Sequence, residues 1–244
     1  MNHRCEVAAW GLDHHAMPHM RRMLRPGLHV AEAMARTRQT EMPAFVSGGA
    51  TTLGALDILK ALEKSDPERS LVPAGLESAV YERCQTLMDT LAPAAERVWY
   101  SAALPESRLC VTVFGSGLST VRKSAYRFAL KPVRRTMAVQ LGLPRSLAAA
   151  EQTLEECLES LKYGPQGVGD GFTMAHLVAA GLLSFFVPRP YAPYNLPDPL
   201  PAGIAELRER YGKHPAVRWA IQTYALRRGV SMAENLERRG SDVL

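Results

Sequence analysis

The chain has 244 residues, 47% of them hydrophobic and 22% charged, with a net charge of +5, which describes an ordinary soluble globular protein of one large domain or two modest ones. No run of about 18 apolar residues is free of charge, which excludes a membrane span, and the first residues lack a signal-peptide core, so a reducing cytoplasm is the expected compartment. Cys5, Cys84, Cys110 and Cys157 show no CxxC spacing, which argues against a metal centre or a disulfide framework, and no basic cluster interleaved with aromatics points to nucleic acid.

The segment from Arg4 to Ala16, RCEVAAWGLDHHA, admits two readings. Val7–Trp10 is a short strand with His14 and His15 near a turn, or the whole segment is a helix carrying Val7, Ala8, Trp10 and Leu12 inward. Met20–Leu24 reads as a strand broken by Pro26-Gly27, and Leu28–Arg38 as a helix. Met42–Leu62, MPAFVSGGATTLGALDILKAL, reads as strand, tight turn, strand and helix. Ser47-Gly48-Gly49 supplies the turn, because glycine accepts the positive φ of a hairpin. Leu56, Ile58, Leu59 and Leu62 then recur at helical spacing. Pro43 cannot donate to a ladder, and the sharper reading makes Met42-Pro43 a cis peptide that offers the Met42 main chain to a ligand.

Lys64–Gly75 reads as a linker, rich in Pro, Ser, Gly and charge. Beyond it the period is helical throughout. Leu76–Ala102 is one helix, kinked at Pro93. Leu104–Gly117 contains the β-prone run CVTVF but has no strand to pair with, so helix or irregular structure is expected. Leu118–Leu141 is a helix with Val121, Tyr126, Leu130, Val133 and Met137 inward. Its cations Arg122, Lys123, Arg127, Lys131, Arg134 and Arg135 occupy the remaining faces and read as a solvated side. Pro144–Leu161 is another amphipathic helix. Thr173 is an N-cap, with Phe172 and Leu177 as a hydrophobic staple and His176 at the capping-box position. The proline-rich stretch from Val187 to Pro201 is a rigid crossover, and Ala202–Tyr211 and Pro215–Arg228 are the closing helices, the last with proline at its first position.

Several of these stretches, taken in order, resemble the cytosolic glutathione transferases. In that family an X-Pro pair opens a strand, a hairpin follows, and an acidic or amide residue and a serine start the next helix, as in the layout of Met42–Leu62. CEVAAWGLD from Cys5 to Asp13 resembles the first helix of the bacterial members. Thr173-Met174-Ala175-His176 resembles their buried capping box, with histidine where the family has aspartate, and HPAVRWAIQTYALRR from His214 resembles their closing helix. The likeness runs from about residue 2 to residue 228. It implies an α/β, thioredoxin-like N-terminal domain over residues 1–65 and an all-helical C-terminal domain over residues 74–230. It also decides the N-terminal alternatives. A catalytic turn at His15 would leave about 27 residues before Pro43 for a helix, a strand and a second helix, whereas one helix alone averages about 11–12 residues. The helical reading leaves enough room. The family's first strand would then precede Asn2, so the reading expects either a start further upstream, which is favoured, or a sheet without that strand.

The resemblance also implies a chemistry. It places the thiol-activating group at Asn2, with Cys5 in the first helical turn, where the helix dipole lowers a thiol pKa. Against that stands the plain reading of Cys5 as a small apolar core residue. It places glutathione against Met42, Pro43, Gly54 and Ala55, and an apolar co-substrate against Trp99 and Tyr100. Gly54-Ala55 lacks the acidic or amide and hydroxyl side chains of the family pair. Losing two or three polar contacts, each worth about 1 kcal/mol, implies a millimolar dissociation constant or weaker. The function so implied is conjugation of glutathione to a small hydrophobic electrophile, with weak or lost activity, in a homodimer that buries apolar surface from Leu76–Ala102 and Leu118–Leu141. The alternative is a non-catalytic binding or dimerisation protein.

Overall fold

Asn2 opens the chain's first helix, α1 (His3–His14), in the computed structural model, which describes residues 2–22, 24–27, 29–115, 117–194 and 196–229. Its extended backbone and its side-chain oxygen, which accepts from the Arg4 N–H at 2.8 Å, form an N-cap. The helical reading of the segment is therefore the one adopted. Val7, Ala8, Trp10 and Leu12 are all buried, as are Ala9 and Gly11. A helix buried on most of its sides needs neighbours on most of them, and α1 packs on the helices α3 (Ala55–Ser65) and α9 (Met174–Leu182).

The segment Met20–Leu24 does not form the expected strand in its described residues. The physical reason lies in its cations. Arg21 reaches back to Asp13 at 2.7 Å and Arg22 to Glu32 at 3.0 Å, while Met20 is 94% exposed. The segment is tethered to α1 by charge and has no ladder to join. The helix α2 (His29–Thr37) follows. Strands β1 (Ala44–Ser47) and β2 (Ala50–Leu53) pair antiparallel with Phe45 opposite Thr52, and they are the sheet among the described residues. Gly48 and Gly49 have φ of 56° and 82°, the double positive φ of a two-residue hairpin turn. Among the described residues the molecule is thus mostly helical with a small two-stranded sheet, which lacks the strand expected over Met20–Leu24.

Between α3 and the next helix the chain makes only a 3-10 turn, Pro67–Arg69. The long helix expected over Leu76–Ala102 is two, α4 (Glu77–Asp89) and α5 (Leu91–Ala103). The break falls at Thr90, not at Pro93. Pro93 lies in the first turn of α5, where a missing N–H costs nothing. The β-prone run becomes α6 (Ser107–Phe114), with Leu109, Cys110, Val113 and Phe114 buried at helical spacing, so packing overrides propensity. Then come α7 (Thr120–Gln140), α8 (Leu147–Ser160), α9, α10 (Ala202–Gly212) and α11 (Pro215–Thr223), the last continued by a π-helical turn, Tyr224–Arg228. Thr173 and His176 make the reciprocal capping box that opens α9. The histidine does so by accepting from the Thr173 N–H at 3.2 Å. Burial holds its pKa below the ordinary value, which keeps the accepting nitrogen free of a proton.

One inward assignment on α7 is overturned. Tyr126 and Leu130 are buried, but Val121 is 80% exposed and faces away from them.

Candidate functional site

Asn2 and Cys5, the residues given a role in handling a thiol, stand at the start of α1. The Asn2 side-chain oxygen accepts from the Arg4 N–H in the cap of α1, while the group that would donate to a thiolate is its amide N–H. Cys5 lies in the first turn of that helix, yet burial pushes its thiol up to about 11. The dipole effect expected from the sequence is outweighed by desolvation, and the plain apolar reading of Cys5 describes it better.

Trp99 and Tyr100 do not line a cleft. They are 0% and 4% exposed. Trp99 stacks on Phe185 with ring centres 5.1 Å apart, and Tyr100 meets the same ring edge-on at 6.3 Å. Large aromatics at helical spacing face the core because burying them stabilises the fold most, and the sequence offers no feature that would have turned these two outward.

The hairpin and α3 bring Met42, Pro43, Gly54 and Ala55 together. Met42-Pro43 is cis, as the sequence reading had it. The Pro43 carbonyl accepts from the Gly54 N–H at 2.8 Å, which fixes the strand pair to the start of α3. The Met42 main chain makes no hydrogen bond to another described residue. Gly54 caps α3 with φ of 76° and ψ of 146° and contributes no side-chain bond. Sequence reasoning missed Glu41. Its carboxylate lies 3.0 Å from where a Cβ on Gly54 would be. A carboxylate of the chain itself therefore stands beside the positive end of α3, where a ligand's carboxylate was expected.

Beside this corner, one face of the hairpin and α3 border a cleft of about 230 Å³ that is open to solvent. Phe45, Thr52, Ile58, Ala61 and Leu62 line it, with Met17 from the end of α1. The register sets Phe45 and Thr52 side by side on that face, and Ser47, Thr52 and Ser65 add hydroxyls to an otherwise apolar wall. Among the described residues no group of three or more His, Cys, Asp or Glu side chains is placed to hold a metal ion.

No protein-family model matches the chain, and no curated protein matches it. Among solved structures, a glutathione S-transferase from the Antarctic clam Laternula elliptica is similar at a TM-score of 0.49 and 14% identity, covering 96% of this chain and 95% of that one. A likeness at that level carries no activity over to this chain.

The most heavily charged place in the interior went unnoticed in the sequence. Glu6 and Asp13, both buried on α1, are held by Arg228 from the far end of the chain at 2.8 and 2.6 Å. Arg21 also reaches Asp13. Two carboxylates seven residues apart on an otherwise apolar helix were the available signal, since buried charges require partners. Nearby on the same helix, His3 is buried against Phe185 with ring centres 4.6 Å apart, and burial with the adjacent Arg4 lowers its pKa to about 3. The unfolded chain then binds a proton at this position that the folded one refuses. His3 therefore stabilises the fold fully above about pH 6.5, and that contribution is lost as pH falls from there toward 3. A His3→Phe variant, which keeps the ring, is expected to lose less stability than the parent between pH 6.5 and 4 in urea melts. Parallel curves for the two proteins would show that His3 is not the titrating group.

Proposed function

We propose that this chain is a non-catalytic binding protein that takes a small apolar ligand in the cleft between its hairpin and α3, and that it has lost the thiol chemistry its sequence resembles. The observation that carries the reading is the contrast between the cleft and the first turn of α1. The cleft beside β1, β2 and α3 is open to a ligand, while burial holds Cys5, the thiol in the first turn of α1, in its protonated form. The cavity is smaller than the roughly 300–1,000 Å³ of pockets for drug-sized molecules, so the ligand is a compact one. Glutathione is a poor fit for this corner. Met42 can offer its main chain, but Gly54 and Ala55 bring no polar side chain, and Glu41 places a like charge where the tripeptide's carboxylate would lie.

Calorimetry with glutathione is expected to give a dissociation constant in the millimolar range or weaker, and conjugation of glutathione to an activated aryl halide is expected at no more than the uncatalysed rate. Glu41→Gln should tighten glutathione binding by a few fold, since a charge at a helix terminus is worth about 0.3–1 kcal/mol. An apolar fluorescent probe should bind the parent and be displaced in Ala61→Phe, which fills the cleft from an exposed position on α3. A low-micromolar glutathione constant, or turnover well above background, would return the chain to the transferases. Unchanged probe binding in Ala61→Phe would remove the cleft as the site.

A further inference from the structure

The charge of this chain is concentrated in one place. From Ser107 to Ala150 there are eight Lys and Arg residues and no Asp or Glu, whereas the whole chain carries only +5. The rest of the molecule is net acidic. Six of those cations are on α7. Its packed side is narrow. Tyr126 and Leu130 are buried, Val133 and Met137 pack partly against the core, and the Tyr126 hydroxyl donates to the Pro26 carbonyl at 3.1 Å.

The opposite side carries a second apolar line. Val121, Ala125, Phe128, Pro132 and Val139 are spaced by four, three, four and seven residues, which a helix of 3.6 residues per turn sets in one row. All five are exposed, and the three largest, Val121, Phe128 and Val139, are 80%, 81% and 77% exposed. Arg122 stands on one flank of the row and Arg127, Lys131 and Arg135 on the other, all four exposed. This differs from a solvated helix face, which has no reason to hold a phenylalanine and two valines in register.

We infer that the outer face of α7 docks on an anionic lipid bilayer, the apolar row entering the headgroup boundary and the flanking cations meeting lipid phosphates and carboxylates. The row supplies the shallow apolar contact and the long Lys and Arg side chains reach back to the charged surface, which is how interfacial helices bind. Three other occupants fit less well. A second copy would lay a helix bearing six cations against another with no acidic group on either. Nucleic acid would satisfy the cations but give Val121 and Val139 nothing to bury. An acidic amphipathic helix would rest on a ridge, because among the described residues the element that α7 chiefly packs on is α6. A ridge suits a planar surface.

The test is flotation of the full chain with vesicles of phosphatidylcholine alone or with one lipid in three replaced by phosphatidylserine. Binding is expected to the anionic vesicles, at least tenfold weaker to the neutral ones, and lost at about 1 M salt, where the screening length is about 3 Å. Replacing Arg127, Lys131 and Arg135 by Gln should weaken it about a hundredfold, at a factor of about five for each cation near such a surface. Val121→Ser with Phe128→Ser should weaken it about tenfold or more. All five positions are exposed, so thermal melts of both variants should match the parent and keep the comparison clean. No flotation with anionic vesicles, or equal flotation with neutral ones, would overturn the inference. So would full retention of binding by the double serine variant, which would reduce the effect to charge alone. A dimer in sedimentation that the serine variant dissolves, or tighter binding to duplex DNA or to an acidic amphipathic peptide than to the vesicles, would assign the face to that occupant instead.

Discussion

Replacing Arg228 by alanine is expected to lower the stability of the fold by about 3–5 kcal/mol, measured as the shift in the urea midpoint at constant slope. The guanidinium is buried and donates to Glu6 at 2.8 Å and to Asp13 at 2.6 Å. Its removal leaves two carboxylates in the interior with Arg21, half exposed, as the remaining cation near them. The cost comes from the uncompensated acids more than from the lost attraction, because desolvating an ion pair consumes most of what the pairing returns. A triple variant, Glu6→Gln, Asp13→Asn and Arg228→Met, should therefore be much less destabilised than Arg228→Ala alone. The π-helical turn over Tyr224–Arg228 holds this arginine, and widened turns of that kind are often found where one side chain has a specific task. A loss below about 1 kcal/mol in Arg228→Ala would mean that water enters and solvates the acids.

The second large effect is expected at Trp99. Trp99→Ala should cost about 3–5 kcal/mol, the range for deleting a buried aromatic. Its ring stacks on Phe185 at 5.1 Å and meets Phe186 edge-on at 6.5 Å, within the apolar core that α5 shares with α8 and α9. The same experiment separates core from pocket. If Trp99 lined a ligand cleft, its loss would change ligand affinity and leave the melt nearly unmoved.

The helical half was legible in the sequence for a physical reason. Burial on one side imposes a 3.6 period, and capping chemistry marks the ends, so Thr173, His176 and the His214-Pro215 start could be placed by residue type alone. The hairpin was legible because two adjacent glycines with positive φ have few other uses. What could not be read was pairing at a distance. A strand at Met20–Leu24 satisfies local propensity, but a strand exists only if a neighbour offers a ladder, and here Arg21 and Arg22 are drawn to Asp13 and Glu32 instead. The site suffered from the same limit. Cys5 stands where a helix dipole favours a thiolate, and only the packing around it shows that desolvation wins. Glu41 was invisible because its effect on Gly54 depends on a side chain thirteen positions earlier folding back across the hairpin. Val121 was assigned inward because one helix carries two apolar rows and periodicity cannot say which of them meets the core.

The arginine that holds Glu6 is 222 residues away from it in the chain. During synthesis the arginine is made on the order of ten to forty seconds after α1, at about 5–20 residues per second. For that interval the two carboxylates have Arg21, half exposed, as their nearby cation, which disfavours burying α1 between α3 and α9. Its apolar faces remain available to chaperones and to neighbouring nascent chains until the last helix arrives. The amount of folded protein recovered from cells should then depend on how quickly the stretch between α1 and Arg228 is translated, since a pause within it lengthens the exposure of α1.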